Sequence, residues 1–260
     1  MSALYALIEQ FSQSEQVGGF WLINLKLPLT SELQNLFDIG CLFYFKGSPV
    51  PLILFQQTLS ADHIQLQLLS QTPLSTEQQP VQINYCLPAE ANITLGTKLL
   101  APNMVILGSE LAMASLFLLA KQRSDLIKIS KASKESQNSQ TIALLHSSST
   151  FPFVVKPALF MAPDMPAEAI GCSTLLEDWQ ITNRLASDLG LAGCFEGQLI
   201  ELLTCWMQQT ALTRTQAEAQ PWHVITCIQD PYIQEQCLQA CEAFDWIQLT
   251  AVKYGCINQT

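Results

Sequence analysis

Residues 63–69 alternate strictly, with Ile64, Leu66 and Leu68 on one side and Gln65 and Gln67 on the other. Period-two alternation is the pattern of a strand with one buried face. Residues 20–27 alternate in the same way and end at Pro28, and residues 81–86 put Val81, Ile83 and Tyr85 on one face. Residues 40–45 and 50–56 are short apolar runs divided by Gly47, Ser48 and Pro49, a turn signal. Several short strands at this spacing predict an antiparallel barrel or sandwich.

From Leu99 onward the period changes. Strands are expected at residues 104–107, 141–146, 155–161, 183–187, 222–228 and 246–250. Helical patterns fall between them at 110–122, at 166–170 behind Pro166, and at 197–209 and 231–244. Strands alternating with helices predict a mostly parallel sheet covered by helices. Residues 130–140 are polar and read as an exposed loop. The expected architecture is an α+β chain of two domains: an antiparallel β-barrel over 1–98 and an α/β domain over 99–260, with the boundary near residues 96–102.

Composition narrows the functions. Charged residues are 13% of 260, apolar residues 49%, and the net charge is −10. So acidic a chain repels phosphate backbones, and no nucleic-acid partner is expected. Lys121, Arg123, Lys128, Lys131 and Lys134 form a local basic cluster that reads as a solvated surface turn. The first basic residue is Lys26, preceded by Glu9 and Glu15, so no secretory signal is expected. The 9 scattered cysteines read as reduced thiols of a cytoplasmic protein. Residues 99–120 resemble a membrane span in hydropathy, but Pro102, Asn103, Ser109 and Glu110 interrupt them. A strand, a turn and a helix avoid burying that charge, so no span is expected.

Four constellations bear on chemistry. His146, followed by Ser147, Ser148 and Ser149, could serve a serine hydrolase together with Ser109. A nucleophile elbow needs small residues flanking its serine. Ser109 lacks them in that register and reads as a helix N-cap. His223, Cys227, Cys237 and Cys241 have a ligand-like spacing. On a strand, however, His223 and Cys227 lie about 13 Å apart at about 3.3 Å per residue, so no metal site is expected. Acidic residues Glu177, Asp178, Glu196 and Glu201 receive no acid–base role. The strand at 104–107, then Gly108, Ser109 and Glu110, then a helix, has the form of the first turn of a nucleotide-binding unit.

That order, a β domain and then an α/β domain opening on a strand–turn–helix, resembles the ferredoxin-reductase-like superfamily. The nearest likeness within it is to the electron-transfer subunit of dihydroorotate dehydrogenase. The residues that carry it are 104–107, Gly108 and 112–120, then Gly193 to Gly197 with Glu201, Leu202 and Leu203, then 224–227 with Pro231, and 253–256. The resemblance implies a flavin on the barrel, a nicotinamide nucleotide at Gly108, Ser109, Glu110, Cys227 and Pro231, and a cysteine-held iron–sulfur cluster from Cys256 onward. The sequence departs from each. The barrel motif of Arg, one residue, an aromatic and Ser is replaced near 50–57 by a stretch with no Arg and no Ser. The glycine-rich turn keeps only Gly108, and the late turn reads Cys227, Ile228, Gln229, Asp230, Pro231 without its glycine. A [2Fe–2S] cluster needs four ligands, and Cys256 stands alone. Gly108, Ser109, Glu110, Cys227 and Pro231 are therefore read as vestigial nucleotide-turn positions, with no catalytic residue and no cofactor expected. Two readings follow. One is a cofactor-poor interaction or regulatory protein, bound to a protein partner or to itself. The other is a flavin- and nicotinamide-linked oxidoreductase holding FAD and NAD(P).

Overall fold

A computed structural model describes residues 4–30, 33, 35–45, 48–74, 82–88, 95, 98–132, 139–213 and 220–255. Gly47, Val81, Lys134 and Cys256 lie outside the described residues. The chain forms two compact units, Met1–Asn92 with Lys253–Thr260, and Ile93–Val252.

The first unit is an antiparallel sheet of seven strands: β1 (Leu4–Leu7), β2 (Gln10–Glu15), β3 (Trp21–Pro28), β4 (Leu42–Phe45), β5 (Leu52–Leu59), β6 (His63–Ser70) and β7 (Gln82–Cys86). Their order is β1-β7-β4-β5-β6-β3-β2. Leu25 lies opposite Leu66, and Leu27 opposite Ile64. Alternation thus sends both sets to one face, where Ile23, Leu25, Leu27, Ile64, Leu66 and Leu68 are buried. The returning C-terminal segment joins this unit. Gly255 N–H donates to Gly40 O at 2.9 Å, and a Cβ on Gly255 would collide with the Cys86 carbonyl.

The second unit holds a parallel sheet of six strands in the order β13-β12-β9-β8-β14-β15. These are β8 (Asn103–Ser109), β9 (Gln140–Ser147), β12 (Thr182–Ser187), β13 (Phe195–Glu196), β14 (Trp222–Cys227) and β15 (Ile247–Ala251). A separate pair, β10 (Lys156–Pro157) and β11 (Gly171–Cys172), is antiparallel. The described helices are α1 (Met113–Ala132), α2 (Thr174–Asp178), α3 (Leu199–Thr213) and α4 (Pro231–Glu242). Met104, Val105, Ile106 and Leu107 are wholly buried, as expected of a central parallel strand covered on both faces. The chain leaves β8 through β9 and β12 on one side and returns to β14 on the other. The order therefore reverses between β8 and β14, and in open α/β sheets the crevice beyond the C-terminal strand ends at such a reversal takes the ligand.

Four expectations need correction. The strand at 155–161 shrinks to Lys156–Pro157, and the helix at 166–170 is a single turn closed by Ala169 N–H to Pro166 O at 3.1 Å. Pro157, Pro163 and Pro166 lack the donors that a longer ladder or helix needs. The basic cluster is not a surface turn. A 20-residue helix, α1, runs through it, and Arg123 is 0% exposed. The short β1 and the polar β2, the two edge strands, escaped the pattern because edge strands need no continuous alternating apolar face. No helix among the described residues is long and apolar enough to cross a membrane.

Candidate functional site

The C-terminal ends of β8, β9, β12 and β14 bring most of the chemistry-bearing residues to one edge. Gly108 lies opposite Leu145 on one side and Cys227 on the other, and Ser109 lies opposite His146. His146 in turn lies opposite Ala186, and Ser147 opposite Ser187. Gly108, Ser109, Glu110 and Cys227 therefore do meet, at the sheet reversal. Pro231 opens α4, where the Asp230 carboxylate caps the helix by accepting Tyr232 N–H at 2.8 Å.

Gly108 has a steric reason to be glycine. A Cβ there would stand 3.0 Å from Leu116 side-chain atoms and 3.0 Å from Met113 Cα, so the helix could not pack so close to the strand. Ser109 occupies the N-cap position of the 3₁₀ turn Glu110–Ala112 that leads into α1, yet its side chain makes no cap bond. The N-cap expectation is corrected: the hydroxyl turns sideways to His146 Nδ1 at 3.2 Å. His146 Nε2 lies 3.1 Å from Asp188 Oδ1. Ser109 and His146 are 4% and 5% exposed. With the hydroxyl donating to Nδ1, the imidazole is in the Nε2–H tautomer and donates to Asp188; the network assigns that proton.

Glu110 stands where the resemblance expects a glycine, and its backbone keeps the glycine's conformation, φ 52°. A non-glycine residue held there costs about 1 kcal/mol or more and persists only where its surroundings hold it. Here the hold is visible. The carboxylate accepts Ser148 N–H at 2.6 Å and lies 3.5 Å from Ser147 Oγ and 3.9 Å from His146 Nδ1. It does not cap its own helix; it closes the gap to the loop after β9.

This arrangement does not suit a dinucleotide. A pyrophosphate at a helix N-terminus needs bare amides and room. Glu110 brings a negative charge to that spot, and its carboxylate already takes an amide of the neighbouring loop. The flavin fares no better. Residues 1–92 contain no arginine, and the Lys26 ammonium is paired with Glu9 at 3.3 Å. On β5, Leu52, Ile53 and Leu54 are buried, while Gln57 is committed to both backbone groups of Phe37, at 2.9 and 2.7 Å. The arginine that the resemblance implies for a flavin phosphate is absent from this stretch of the sequence.

The cysteines read as core. Burial pushes the Cys237 and Cys241 thiols up to about 12 and about 11, and that of Cys227 further still. Among the described residues no three His, Cys, Asp or Glu side chains are placed to hold a metal ion together. Burial, then Lys98 and Arg123, lowers the pKa of His223. Asp188 was missed in the sequence. Its only signal is its place just past the end of a strand, and its partner His146 is 42 positions away.

No described protein family matches the chain, and no curated protein does either. Solved structures do. A variant of the ferredoxin-NADP+ reductase from Plasmodium falciparum, with 2'P-AMP, superposes at TM-score 0.55 and 6% identity over 96% of both chains. A cytochrome P450 reductase from Amycolatopsis gives 0.54 at 12% identity, over 97% of this chain and 70% of that one. A flavohemoglobin from Malassezia yamatoensis with bound FAD and heme gives 0.50 at 10% identity, over 96% of this chain and 60% of that one. Identities this low carry architecture alone. With the seven-stranded antiparallel sheet and the six-stranded parallel sheet they are enough for one conclusion: the chain has the ferredoxin-reductase-like fold.

Proposed function

We propose that this chain is a cofactor-poor interaction or regulatory protein built on the ferredoxin-reductase-like fold. The observation that supports it is Glu110. Its strained backbone and its bond to Ser148 N–H put a carboxylate where a dinucleotide phosphate would have to lie. Gly108, Ser109, Glu110, Cys227 and Pro231 are on this reading the vestige of a nucleotide turn. The partner is a protein or a second copy of the chain. Leu159 and Met161, 85% and 90% exposed, are the apolar side chains most available to it. Free thiols on the described cysteines fit a cytoplasmic setting.

A second reading has its own support. The solved structures alike in fold are reductases and a flavohemoglobin, one with FAD and one with 2'P-AMP. Likeness of fold thus favours a flavin- and nicotinamide-linked oxidoreductase, such as an electron-transfer subunit resembling that of dihydroorotate dehydrogenase. The chemistry of the turn favours the first reading. An absorbance spectrum of the purified protein, followed by calorimetry with NADH and NADPH, separates them. The first reading expects no flavin band and no stoichiometric nucleotide signal at micromolar concentration. Either signal establishes the second.

A further inference from the structure

Ser109, His146 and Asp188 sit at the ends of three adjacent parallel strands, β8, β9 and β12, and are joined by two hydrogen bonds of 3.2 and 3.1 Å. The geometry points to a nucleophile, a base and an orienting carboxylate: we propose that these residues form an acyl-transfer relay that hydrolyses small, neutral esters. This goes beyond the function proposed above, since it needs no cofactor and no nucleotide.

The arrangement meets the demands of the chemistry. A serine hydroxyl is a weak nucleophile until a base stands ready for its proton. His146 Nδ1 is that base, and the bond between Nε2 and Asp188 Oδ1 at 3.1 Å holds the ring with Nδ1 toward Ser109. When the proton moves, the imidazolium faces Asp188 Oδ1 at 3.1 Å and Glu110 Oε1 at 3.9 Å, so two carboxylates stabilise it. Ser109 spends its hydroxyl on no helix cap and is free to donate to the base. Gly108 lets the strand and the helix that follows the turn pack closely, since a Cβ there would stand 3.0 Å from Leu116 side-chain atoms and Met113 Cα.

The step balances. Ser109 Oγ bonds to the ester carbonyl carbon while its proton passes to His146 Nδ1. The carbonyl electron pair moves to oxygen, then returns as the C–O bond to the alcohol breaks, and the alkoxide takes the proton from His146. Water repeats the sequence on the acyl-serine, releasing the carboxylic acid and restoring the hydroxyl. Nothing is oxidised or reduced.

The surroundings set the substrate class. At 4% exposure Ser109 admits only a slim acyl group. The side chains of Glu110 and Asp188, 34% and 38% exposed, flank His146 with negative charge and disfavour anionic esters.

The test uses the full chain, a dialkyl fluorophosphate as probe and 4-nitrophenyl acetate as substrate. Peptide mass analysis should find one adduct, on Ser109, and Ser109→Ala should give none there. Labelling should slow about 100-fold in His146→Gln. Asp188→Asn should slow it at least about tenfold, and Asp188→Glu, which keeps the charge, should recover part of that loss. Asp188 is partly exposed, so its variants are expected to fold, and urea midpoints confirm that the comparison is between folded proteins. Failure of folded unmodified protein to label at Ser109 overturns the proposal. So does labelling whose rate ignores both His146→Gln and Asp188→Asn, since the network would then only tie the strand ends together. A nucleotide signal in calorimetry would overturn the function proposed above and leave this result standing.

Discussion

The two ends of the parallel sheet are both closed by side chains, and they are closed in opposite ways. At the N-terminal end Arg123, 0% exposed, reaches from α1 and donates to Leu99 O, Pro102 O, Gln140 O and Thr141 Oγ1 at 2.5, 3.2, 3.0 and 2.7 Å. Its acceptors are all neutral, and burial lowers its pKa to about 10, which leaves it charged at neutral pH. At the C-terminal end two partly exposed carboxylates and a histidine are linked through hydroxyls and one amide, around a strained Glu110. A clasp that serves stability is dry, relaxed and fully bonded. The other edge keeps charge in reach of solvent and holds strain, which is what sites that act on something outside the chain tend to do.

The largest effect should come from the dry end. Arg123→Met keeps the length of the stem but removes four hydrogen bonds, three of them to backbone carbonyls, of which Pro102 O keeps a second partner, Gln140 N–H at 2.7 Å. Each buried polar group left unbonded costs about 1–3 kcal/mol, and some will regain water. A loss of about 3–5 kcal/mol in urea denaturation is expected, enough to unfold a marginal domain. A change under about 1 kcal/mol would dissolve the contrast, because the clasp would then be ornamental. Arg123→Lys should recover little, since an ammonium cannot span four acceptors from one stem.

Next in size is Gly108→Ala, where the two closures meet the packing of α1. The added methyl would sit 3.0 Å from Met113 Cα, and backbone can yield only by moving the helix. About 1–3 kcal/mol is the usual cost of such overpacking. Because the helix carries Arg123 as well as following Ser109, the variant should also slow labelling of Ser109. Lost stability with unchanged labelling would mean that the edge does not depend on the seating of the helix.

How much of this was open to sequence reading follows from the same contrast. Short-range periodicity exposed β6, β8 and β14, because burial repeats every second residue or runs unbroken along each. It also announced the change from antiparallel to parallel sheet near Leu99. It misplaced Arg123, since a lone arginine among lysines looks solvated until its carbonyl acceptors, 17 to 24 residues away, are known. The turn at Gly108 could be read because its residues are consecutive. Ser109 and His146 could be named together only by residue type, and Asp188 could not be joined to them, because 37 and 42 residues separate the bonded partners and only the strand register brings them level.

The smallest effect, and the sharpest, lies at Glu110. Its side chain contributes a charge-assisted bond to Ser148 N–H, worth about 1.5–3 kcal/mol where buried and less at 34% side-chain exposure. Its backbone, at φ 52°, costs about 1 kcal/mol that glycine would not incur. Glu110→Ala loses the bond and keeps the strain, so a loss of about 1–2 kcal/mol is expected. Glu110→Gly loses the bond and relieves the strain, offset by the freedom glycine gains in the unfolded chain, and should come out within about 1 kcal/mol of the unmodified protein. The order matters more than either value: alanine should be worse than glycine, the reverse of what holds at ordinary helical positions. If glycine proved the worse of the two, Glu110 would not be strained and the contrast between the sheet ends would fail. Neither variant alone should gain nicotinamide nucleotide binding by calorimetry, since the late turn at Cys227 to Pro231 still lacks a glycine through which phosphate could approach the backbone.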